Sequence, residues 1–327
     1  MDSDSESDNE SNQEEFVLDD EIGEISTTRK PIYYDGGSVI NIVNRNSFLE
    51  YPFQESHSVY FMPSDIDNTK HFVYGKPYYL LRLYGAMENG MKAIVDVMKI
   101  KVFFDVRVPD DTNTFLPKIK QILKDVNVDF YYENIEAYPI RGYYPTKQKY
   151  LRIFTNDLEK RKIGILAIRN HFETASDDLT NYHRKIARER ELSLCHWMVL
   201  SNAKFSYPEH RDWVRVEVNI EDIKTDWNKN DKDKTLVFTW DIETYSKRKT
   251  GEAPDPQYSD DVVFMICITI HWKDDVKPLY QVCLVDVDTA PDDRWDTIVC
   301  GSQKNILLAF ALCFRKFLPD YHVGFND

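Results

Sequence analysis

The chain contains 327 residues, 42% of them hydrophobic and 13% aromatic, which is enough for two globular domains that each bury a core. Its net charge of −14 is concentrated at one end. Residues 1–24 hold 11 acids and no Lys or Arg, which leaves 44 acids (55 − 11) against 41 bases in the rest. The body of the chain is therefore close to neutral, which argues against strong unaided binding of nucleic acid through a basic stripe.

Composition also excludes several classes of protein. The five cysteines form no CxxC pair and the eight histidines no HExxH motif, so no zinc-site spacing is present. No run of about 18 apolar residues occurs, and the acidic start is unlike a signal peptide. These features predict a soluble, intracellular protein with no membrane partner. Residues 1–55 are predicted to be a disordered acidic tail and a linker, because the tail has too little apolar surface to offset chain entropy.

Residues 56–230 are predicted to form an α+β domain, because β-rich runs alternate with helical patterns. The sequence Glu88-Asn89-Gly90 predicts a hairpin turn between the second and third runs. Apolar residues at helical spacing predict a helix over 115–126 and a second helical region over about 178–196. The strand-like runs are SVYFM (58–62), YYLLRLY (78–84), AIVDVMKIKVFFDV (93–106) and VDFYYENI (128–135).

The second helical region carries a basic surface, which leaves two interpretations open. Its members are Tyr182, Arg184, Lys185, Arg188 and Arg190. The cations could contact phosphates, which supply the sequence-independent part of nucleic-acid affinity. Alternatively, they form a solvated helix face that is balanced by Glu189 and Glu191.

A second domain is predicted over 231–327, after the polar stretch DWNKNDKDKT (226–235). Its strand-like runs are LVFTWDI (236–242), VVFMICITIHW (262–272) and PLYQVCLVDVD (278–288). A helix is predicted over 302–318, capped by Ser302 and ended by Pro319. The final run, DYHVGFND, begins as a strand, so the predicted order is β-β-β-α-β.

The stretch LVFTWDIETYS (236–246) places two acids, Asp241 and Glu243, on an otherwise apolar strand. Alternate residues of a strand share a face, so both carboxylates point the same way, about 6.6 Å apart along the strand. Two-metal sites hold their ions about 3.5–4 Å apart, and one strand can supply both acids to such a site. The alternative is a solvated strand end, since the same Asp-x-Glu spacing also occurs in the acidic tail.

The order of motifs around this pair resembles the family B DNA polymerases. TWDIETYS (239–246) resembles the first exonuclease motif of that family, and KNILLAFALCFRKFLPDYHVGFND (304–327) resembles the segment that opens the second. Upstream, LYGAMENGMKAIVDVMKIKVFFDV, EAYPIRGYYPTKQKYLRI and YHRKIARE resemble the family's N-terminal domain. The resemblance covers residues 56–327 and is greatest to the enzymes of asfarviruses and other large DNA viruses.

This resemblance implies an α/β chain in which an α+β N-terminal domain precedes a ribonuclease H-like 3′-5′ exonuclease domain with a mixed sheet. Asp241 and Glu243 would be catalytic acids that bind two Mg²⁺ or Mn²⁺ ions. Thr244 and Tyr245 would contact the 3′-terminal nucleotide of a single-stranded DNA primer end. Phe325 and Asn326 match the aromatic-Asn pair of the second motif and would also bind DNA.

The resemblance is incomplete. The family's next catalytic Asp lies five residues after the Asn of the second motif, and Asp327, which directly follows Asn326, does not match it. The third exonuclease motif and the polymerase aspartates have no match either. We therefore expect the N-terminal and partial exonuclease portion of a polymerase, truncated within the second motif and incomplete as an enzyme by itself. A separate chain with the remaining parts would be its partner, in the nucleus or at a viral replication site. The alternative is a non-catalytic nucleic-acid-binding or interaction module.

Overall fold

The computed structural model describes residues 29–36, 43–109, 114–209, 212–248 and 251–324. In chain order the strands are β1 (Ile32–Tyr33), β2 (Ser58–Val73), β3 (Lys76–Met87), β4 (Lys92–Met98), β5 (Val102–Arg107), β6 (Phe130–Ala137), β7 (Gln148–Thr155), β8 (Met198–Ser201), β9 (Lys204–Ser206), β10 (Trp213–Asn219), β11 (Ile223–Thr225), β12 (Leu236–Ser246), β13 (Asp261–Trp272), β14 (Tyr280–Val285), β15 (Asp296–Val299) and β16 (Tyr321–Gly324). The α-helices are α1 (Phe115–Asp125), α2 (Leu158–Arg169), α3 (Tyr182–Glu189) and α4 (Gln303–Phe317). The predicted mixed α/β class is confirmed. The acidic tail of residues 1–24 lies outside the described residues.

A seven-stranded sheet in the order β11-β8-β2-β3-β4-β10-β9 forms the largest body of the fold. The predicted hairpin at Glu88-Asn89-Gly90 joins antiparallel β3 and β4, and β10 then runs parallel to β4. The inward residues of these strands and of α3 form one apolar core. It includes Phe61, Leu81, Leu83, Val95, Ile186 and Val216.

A three-stranded antiparallel sheet in the order β5-β7-β6 is covered by α1 and α2. Its core includes Phe104, Ile119, Leu123, Ile153 and Ile165. The predicted helix over 115–126 is confirmed as α1, whereas α2 was not predicted. The run 93–106, predicted as one strand, is two strands in two different sheets, because Lys99 turns the chain with a φ of 59°.

A six-stranded mixed sheet in the order β1-β15-β14-β13-β12-β16 forms the rest of the described chain. The helix α4 packs on one face, over a core that includes Phe238, Ile268, Leu284, Ala309 and Phe317. As predicted, the Ser302 side chain caps α4 by accepting a hydrogen bond from Asn305 N, and the helix ends before Pro319. The predicted order β-β-β-α-β lacked one strand, since the short β15 precedes α4.

A buried ion cluster of Arg45, Lys92 and Asp320, here called the clasp, joins the six-stranded and seven-stranded sheets. Arg45 lies 2.8 Å from Asp320, and Lys92 lies 2.6 Å from it. Burial raises the pKa of Asp320, but the two cations outweigh burial and hold that pKa below its ordinary value of 3.8. Arg45 also donates to the carbonyl oxygens of Gly90 and Leu318.

The segment before residue 56 is more than a linker. Strand β1 pairs with β15 in parallel, with Ile32 opposite Ile298, and Arg45 belongs to a short 3-10 helix, Arg45–Phe48. Both features anchor described parts of residues 1–55 to the six-stranded sheet. Within the described ranges, no helix is long and apolar enough to cross a membrane.

Candidate active site

Strand β12 carries both predicted acids on the sheet face opposite α4. Phe238 packs against Phe314 at a ring distance of 4.3 Å, and Trp240 packs against Phe310 at 5.3 Å. Because side chains alternate along a strand, Asp241 takes the face opposite to Trp240. Asp241 and Glu243 are both exposed to solvent. The two carboxylates therefore share one open face, as the sequence predicted.

Two cysteines lie beside the acids on the neighbouring strands. Asp241 is opposite Cys267 in the register of β12 and β13, and Cys267 is opposite Cys283 on β14. The two sulfur atoms are 3.9 Å apart. The hydrogen bond with Cys283 lowers the pKa of Cys267 to about 7, although burial and the charges of Asp241 and Glu243 raise it. Sequence reasoning missed these thiols, because their proximity to the acids depends on strand register.

The carboxylates of Asp241 and Glu243 form no ion pair with a Lys or Arg in the described part of the chain. The Oδ1 atom of Asp241 accepts a hydrogen bond from Ile242 N at 3.0 Å, and no described Lys or Arg forms an ion pair with either acid. An exposed carboxylate pair without such a partner can accept a cation. Magnesium is often bound by one or two protein carboxylates together with substrate phosphates and water, so the pair fits a divalent ion.

The described residues do not supply a larger ligand set. No group of three or more His, Cys, Asp or Glu side chains among them is arranged to hold a metal ion. The pairing of β12 with β13 shifts between Glu243 and Thr244, which is the irregularity of a β-bulge. Bulges often lie next to active sites, where they redirect side chains. Thr244 and Tyr245 follow the bulge and are exposed, and Tyr245 retains 53% of its accessible surface.

The remaining predicted site residues, Phe325 and Asn326, lie outside the described residues. Strand β16 runs parallel to β12, with Gly324 opposite Trp240. Gly324, the last described residue, therefore lies beside β12, one residue before the position opposite Asp241.

The predicted basic surface on the second helical region differs from the expectation. Tyr182 and Lys185 are buried, Arg188 pairs with Asp177, and Arg190 pairs with Glu221. The helix α3 is also shorter than the predicted region and ends at Glu189. Most of its cations are therefore neutralised within the protein.

Comparison with known proteins gives a family for this architecture. The family model described as "DNA polymerase family B, exonuclease domain" matches residues 177–327. The "DNA polymerase beta" of African swine fever virus isolate Tick/Malawi/Lil 20-1/1983 is 39% identical over 272 residues, which is 82% of this chain and 22% of the viral protein. That of the Badajoz 1971 Vero-adapted strain is 37% identical over 282 residues, 84% of this chain and 22% of the viral protein.

A solved structure shares the fold. The family B DNA polymerase from the hyperthermophilic archaeon Pyrobaculum calidifontis matches with a TM-score of 0.50 and 19% identity, over 82% of this chain and 30% of that chain. The chain spans about a fifth of the length of the curated viral relatives. The matched exonuclease-domain model and the viral relatives show that this chain belongs to the family B DNA polymerases and contains an exonuclease-domain portion of that family.

Proposed function

We propose that this chain contributes Asp241 and Glu243 to a metal-dependent 3′-5′ exonuclease that removes nucleotides from a single-stranded DNA primer end. The observation that supports the proposal is the exposed pair of carboxylates on one face of β12, free of described cationic partners. The pair lies inside the segment that matches the exonuclease-domain model. A ribonuclease H-like sheet is part of the same proposal.

Each residue has a distinct role in this proposal. When bound, two Mg²⁺ or Mn²⁺ ions would polarise the scissile phosphodiester and make water a stronger nucleophile. Asp241 would hold the ions through carboxylate oxygens. Glu243 would hold one ion and orient the attacking water by accepting a hydrogen bond from it. Thr244 and Tyr245 would contact the terminal nucleotide, and Phe325 and Asn326 would contact the single strand.

The proposal extends to partners and location. Since the chain spans about a fifth of its viral relatives, we assign polymerase activity only to an assembly of this region with a polymerase region, in the same polypeptide or in a separate chain. DNA is the common substrate of such an assembly. The viral origin of the relatives supports action at a viral replication site, and the nucleus is the alternative location.

The metal-binding step can be tested on this chain directly. Titration with Mn²⁺, followed by electron paramagnetic resonance of the free ion, measures the affinity of the site. We expect Asp241→Asn/Glu243→Gln to weaken Mn²⁺ binding by at least about tenfold, since both anionic ligands are lost while side-chain shape is kept. Unchanged Mn²⁺ affinity in this double variant would contradict the proposal.

The chain offers a matched control on β2. Asp65 and Asp67 have the same spacing and are exposed, and Asp65 accepts a hydrogen bond from Ile66 N as Asp241 does from Ile242 N. Asp67, however, lies opposite Arg82 in the strand register. Asp65→Asn/Asp67→Asn should therefore leave Mn²⁺ affinity unchanged. An equal loss in both double variants would show that general acidity, and not the β12 site, binds the ion.

The second candidate function is a non-catalytic nucleic-acid-binding module. The observation that favours it is a cavity beside the β2–β3 hairpin that Lys99 and Lys204 help to line and that includes no residue of β12. Under this alternative, DNA binding persists in EDTA and in Asp241→Asn/Glu243→Gln, and no Mn²⁺ site is found on β12.

A further inference from the structure

A pair of cysteines lies on the open face of the six-stranded sheet, beside the carboxylates. Cys267 on β13 and Cys283 on β14 are register partners, and Cys267 is in turn opposite Asp241 on β12. Directly opposed residues of a sheet point to the same face, so the two thiols and the Asp241 carboxylate share one surface. The proposed exonuclease chemistry uses neither thiol.

The two cysteines have the spacing that a disulfide bond needs. Directly opposed residues of antiparallel strands have Cα atoms about 4.5–5.5 Å apart, and disulfides join Cα atoms about 4.4–6.8 Å apart. The sulfur atoms lie 3.9 Å from each other, and the Cys267 thiol donates a hydrogen bond to Cys283 Sγ. Bond formation therefore requires the sulfur atoms to approach by about 2 Å and requires no change of strand register.

The two thiols differ in their exposure. Cys267 is exposed to solvent, whereas Cys283 is buried and keeps 7% of its accessible surface. Cys283 packs with Val285 and Val299 in a small apolar cluster, against which Met265 lies. An exposed thiol beside a second thiol that resolves the first oxidation product is typical of redox-sensitive cysteines. A dissolved oxidant therefore reaches Cys267 first.

The other three cysteines, all within the described ranges, lie in different settings. Cys300 and Cys313 are buried in the core beneath α4, where an oxidant in solution does not reach them in the folded chain. Cys195 is exposed, and its sulfur lies 3.7 Å from the hydroxyl oxygen of Ser193. An exposed thiol in contact with a buried thiol is thus a feature of Cys267 and Cys283.

The carboxylates favour one class of oxidant. Asp241 and Glu243 are near enough to Cys267 for their negative charges to act on it. Like charges repel, so an anionic oxidant such as glutathione disulfide is disfavoured at this surface. Hydrogen peroxide is small and uncharged, and the carboxylates do not repel it.

We propose that Cys267 and Cys283 form a peroxide-sensitive redox pair, which closes to a reversible disulfide between β13 and β14. The Cys267 sulfur attacks one oxygen of hydrogen peroxide, so an S–O bond forms, the O–O bond breaks and a first water leaves. The Cys283 sulfur then attacks the Cys267 sulfur, so the S–S bond forms, the S–O bond breaks and a second water leaves. Each water takes up one thiol proton, and the two thiols lose two electrons to one peroxide. An added dithiol reverses the bond by exchange.

A count of free thiols in the whole chain tests the disulfide. The chain is treated with a small excess of hydrogen peroxide in EDTA and then unfolded, and its free thiols are alkylated for intact-mass spectrometry. Of the five thiols, three (5 − 2) should remain free after oxidation, and all five should return after dithiothreitol. Trypsin cleaves after Lys273, between the two cysteines, so a linked pair of peptides identifies the bond. Five free thiols after peroxide, or a bond between any other cysteines, would overturn the proposal.

Single variants test the different roles of the two thiols. Cys283→Ala removes the resolving thiol, so Cys267 should stop at the sulfenic acid and react with dimedone, whereas the oxidised parent chain should not. Cys195→Ser is the control, because it removes an exposed thiol outside the pair and should leave the yield of disulfide unchanged. Equal dimedone labelling of Cys267 in Cys283→Ala and in the parent chain would overturn the assigned roles.

The variant Asp241→Asn/Glu243→Gln tests the choice of oxidant. Loss of both negative charges should raise the ratio of the oxidation rate with glutathione disulfide to that with hydrogen peroxide by at least about threefold at low salt. An unchanged ratio would show that the carboxylates do not select the oxidant. All of these measurements are made in EDTA, so their outcome does not depend on whether β12 binds Mn²⁺.

Discussion

Lys185 shows how individual charges in this fold are neutralised within the protein. Its side chain is fully buried, and its Nζ atom lies 2.9 Å from Asp105, 3.1 Å from Asp177 and 2.8 Å from Asp178. Burial alone would lower the pKa of Lys185, but the three aspartates hold that pKa above its ordinary value of 10.5. The side chain therefore stabilises the junction of α3 with the three-stranded sheet and is not available to a phosphate.

Replacing Lys185 should be strongly destabilising. Lys185→Met keeps most of the side-chain volume but leaves buried carboxylates short of a cation, so we expect a loss of about 3–5 kcal/mol in the free energy of unfolding. The neighbouring Arg184 is exposed, and Arg184→Met should cost less than about 0.5 kcal/mol. Urea denaturation of the two variants measures the difference. Equal free energies of unfolding for the two variants would show that the buried Lys185 cluster adds no stability beyond that of an exposed cation.

At the scale of elements, the β2–β3 hairpin depends on one close backbone approach. A Cβ atom added to Gly85 would lie 2.0 Å from the carbonyl oxygen of Met62. The strand register shifts at this point, between Pro63 and Asp65. Only glycine allows the two backbones to approach in this way.

The substitution Gly85→Ala should therefore separate β2 from β3 where Pro63 lies opposite Gly85. Because the obstacle is backbone and not a flexible side chain, we expect a loss of at least about 2 kcal/mol in the free energy of unfolding. Ser64→Ala, which removes only the hydrogen bond from Ser64 Oγ to Tyr84 O, should cost about 1 kcal/mol. Thermal unfolding followed by circular dichroism compares them. A Gly85→Ala variant as stable as the parent chain would refute the close approach.

Elements with clear local signals were predicted from the sequence, and α4 is the best example. Ser302, the apolar stripe and Pro319 together predicted its bounds to within a residue or two. The helix α2 was missed because Gly164 lies in its middle, a residue that lowers helix propensity. The structure gives the reason for that glycine, since an added Cβ would lie 3.2 Å from the Phe104 ring. Packing against a distant element therefore requires glycine at position 164, and a local sequence pattern does not show such packing.

The same limit applies to the sites. Asp241 and Glu243 were predicted because one strand carries both, and alternation alone gives them a common face. Cys267 joins them only through the register of β12 and β13. Lys99 and Lys204 line one groove although 105 residues separate them (204 − 99). An average over the sequence carries no information on which distant residues the fold brings together.

For the whole molecule, the clasp is a buried electrostatic link between the two larger sheets. Asp320 is almost completely buried and has a pKa below 3.8 in the folded state, so its contribution is present above that pH and is lost as pH falls through the folded pKa. The predicted division into domains at residues 55/56 and 230/231 stays a proposal. The clasp crosses both boundaries, since Arg45, Lys92 and Asp320 come from the three predicted segments.

The substitution Asp320→Asn should change both stability and its dependence on pH. At pH 7 two cations lose their buried anion, and we expect a loss of about 3–5 kcal/mol in the free energy of unfolding. Between pH 5 and pH 3 the variant should lose less further stability than the parent chain, because one titrating carboxylate is gone. Urea denaturation at pH 7, 5 and 3 measures both effects. If the free energy of unfolding changed equally with pH in the variant and in the parent chain, the pH dependence assigned to Asp320 would be contradicted.

Glu221→Gln is the control for this pH experiment. Glu221 forms an exposed pair with Arg190, with 68% of the Glu221 side chain accessible. Exposed pairs contribute about 0–1 kcal/mol, so this variant should follow the parent chain at each pH. A loss as large as that of Asp320→Asn would mean that any removed carboxylate has the same effect.

The pairing of β1 with β15 has a consequence for biosynthesis. Ile32 and Ile298 are register partners, yet 266 residues separate them (298 − 32). On the ribosome, where N-terminal parts fold first, the segment that carries β1 and Arg45 emerges long before its binding surface exists. Strand β1 must stay unpaired until β15 has been made. The six-stranded sheet is thus completed by a segment that is translated well before its other strands, and the described sheet is finished only when that segment pairs with β15.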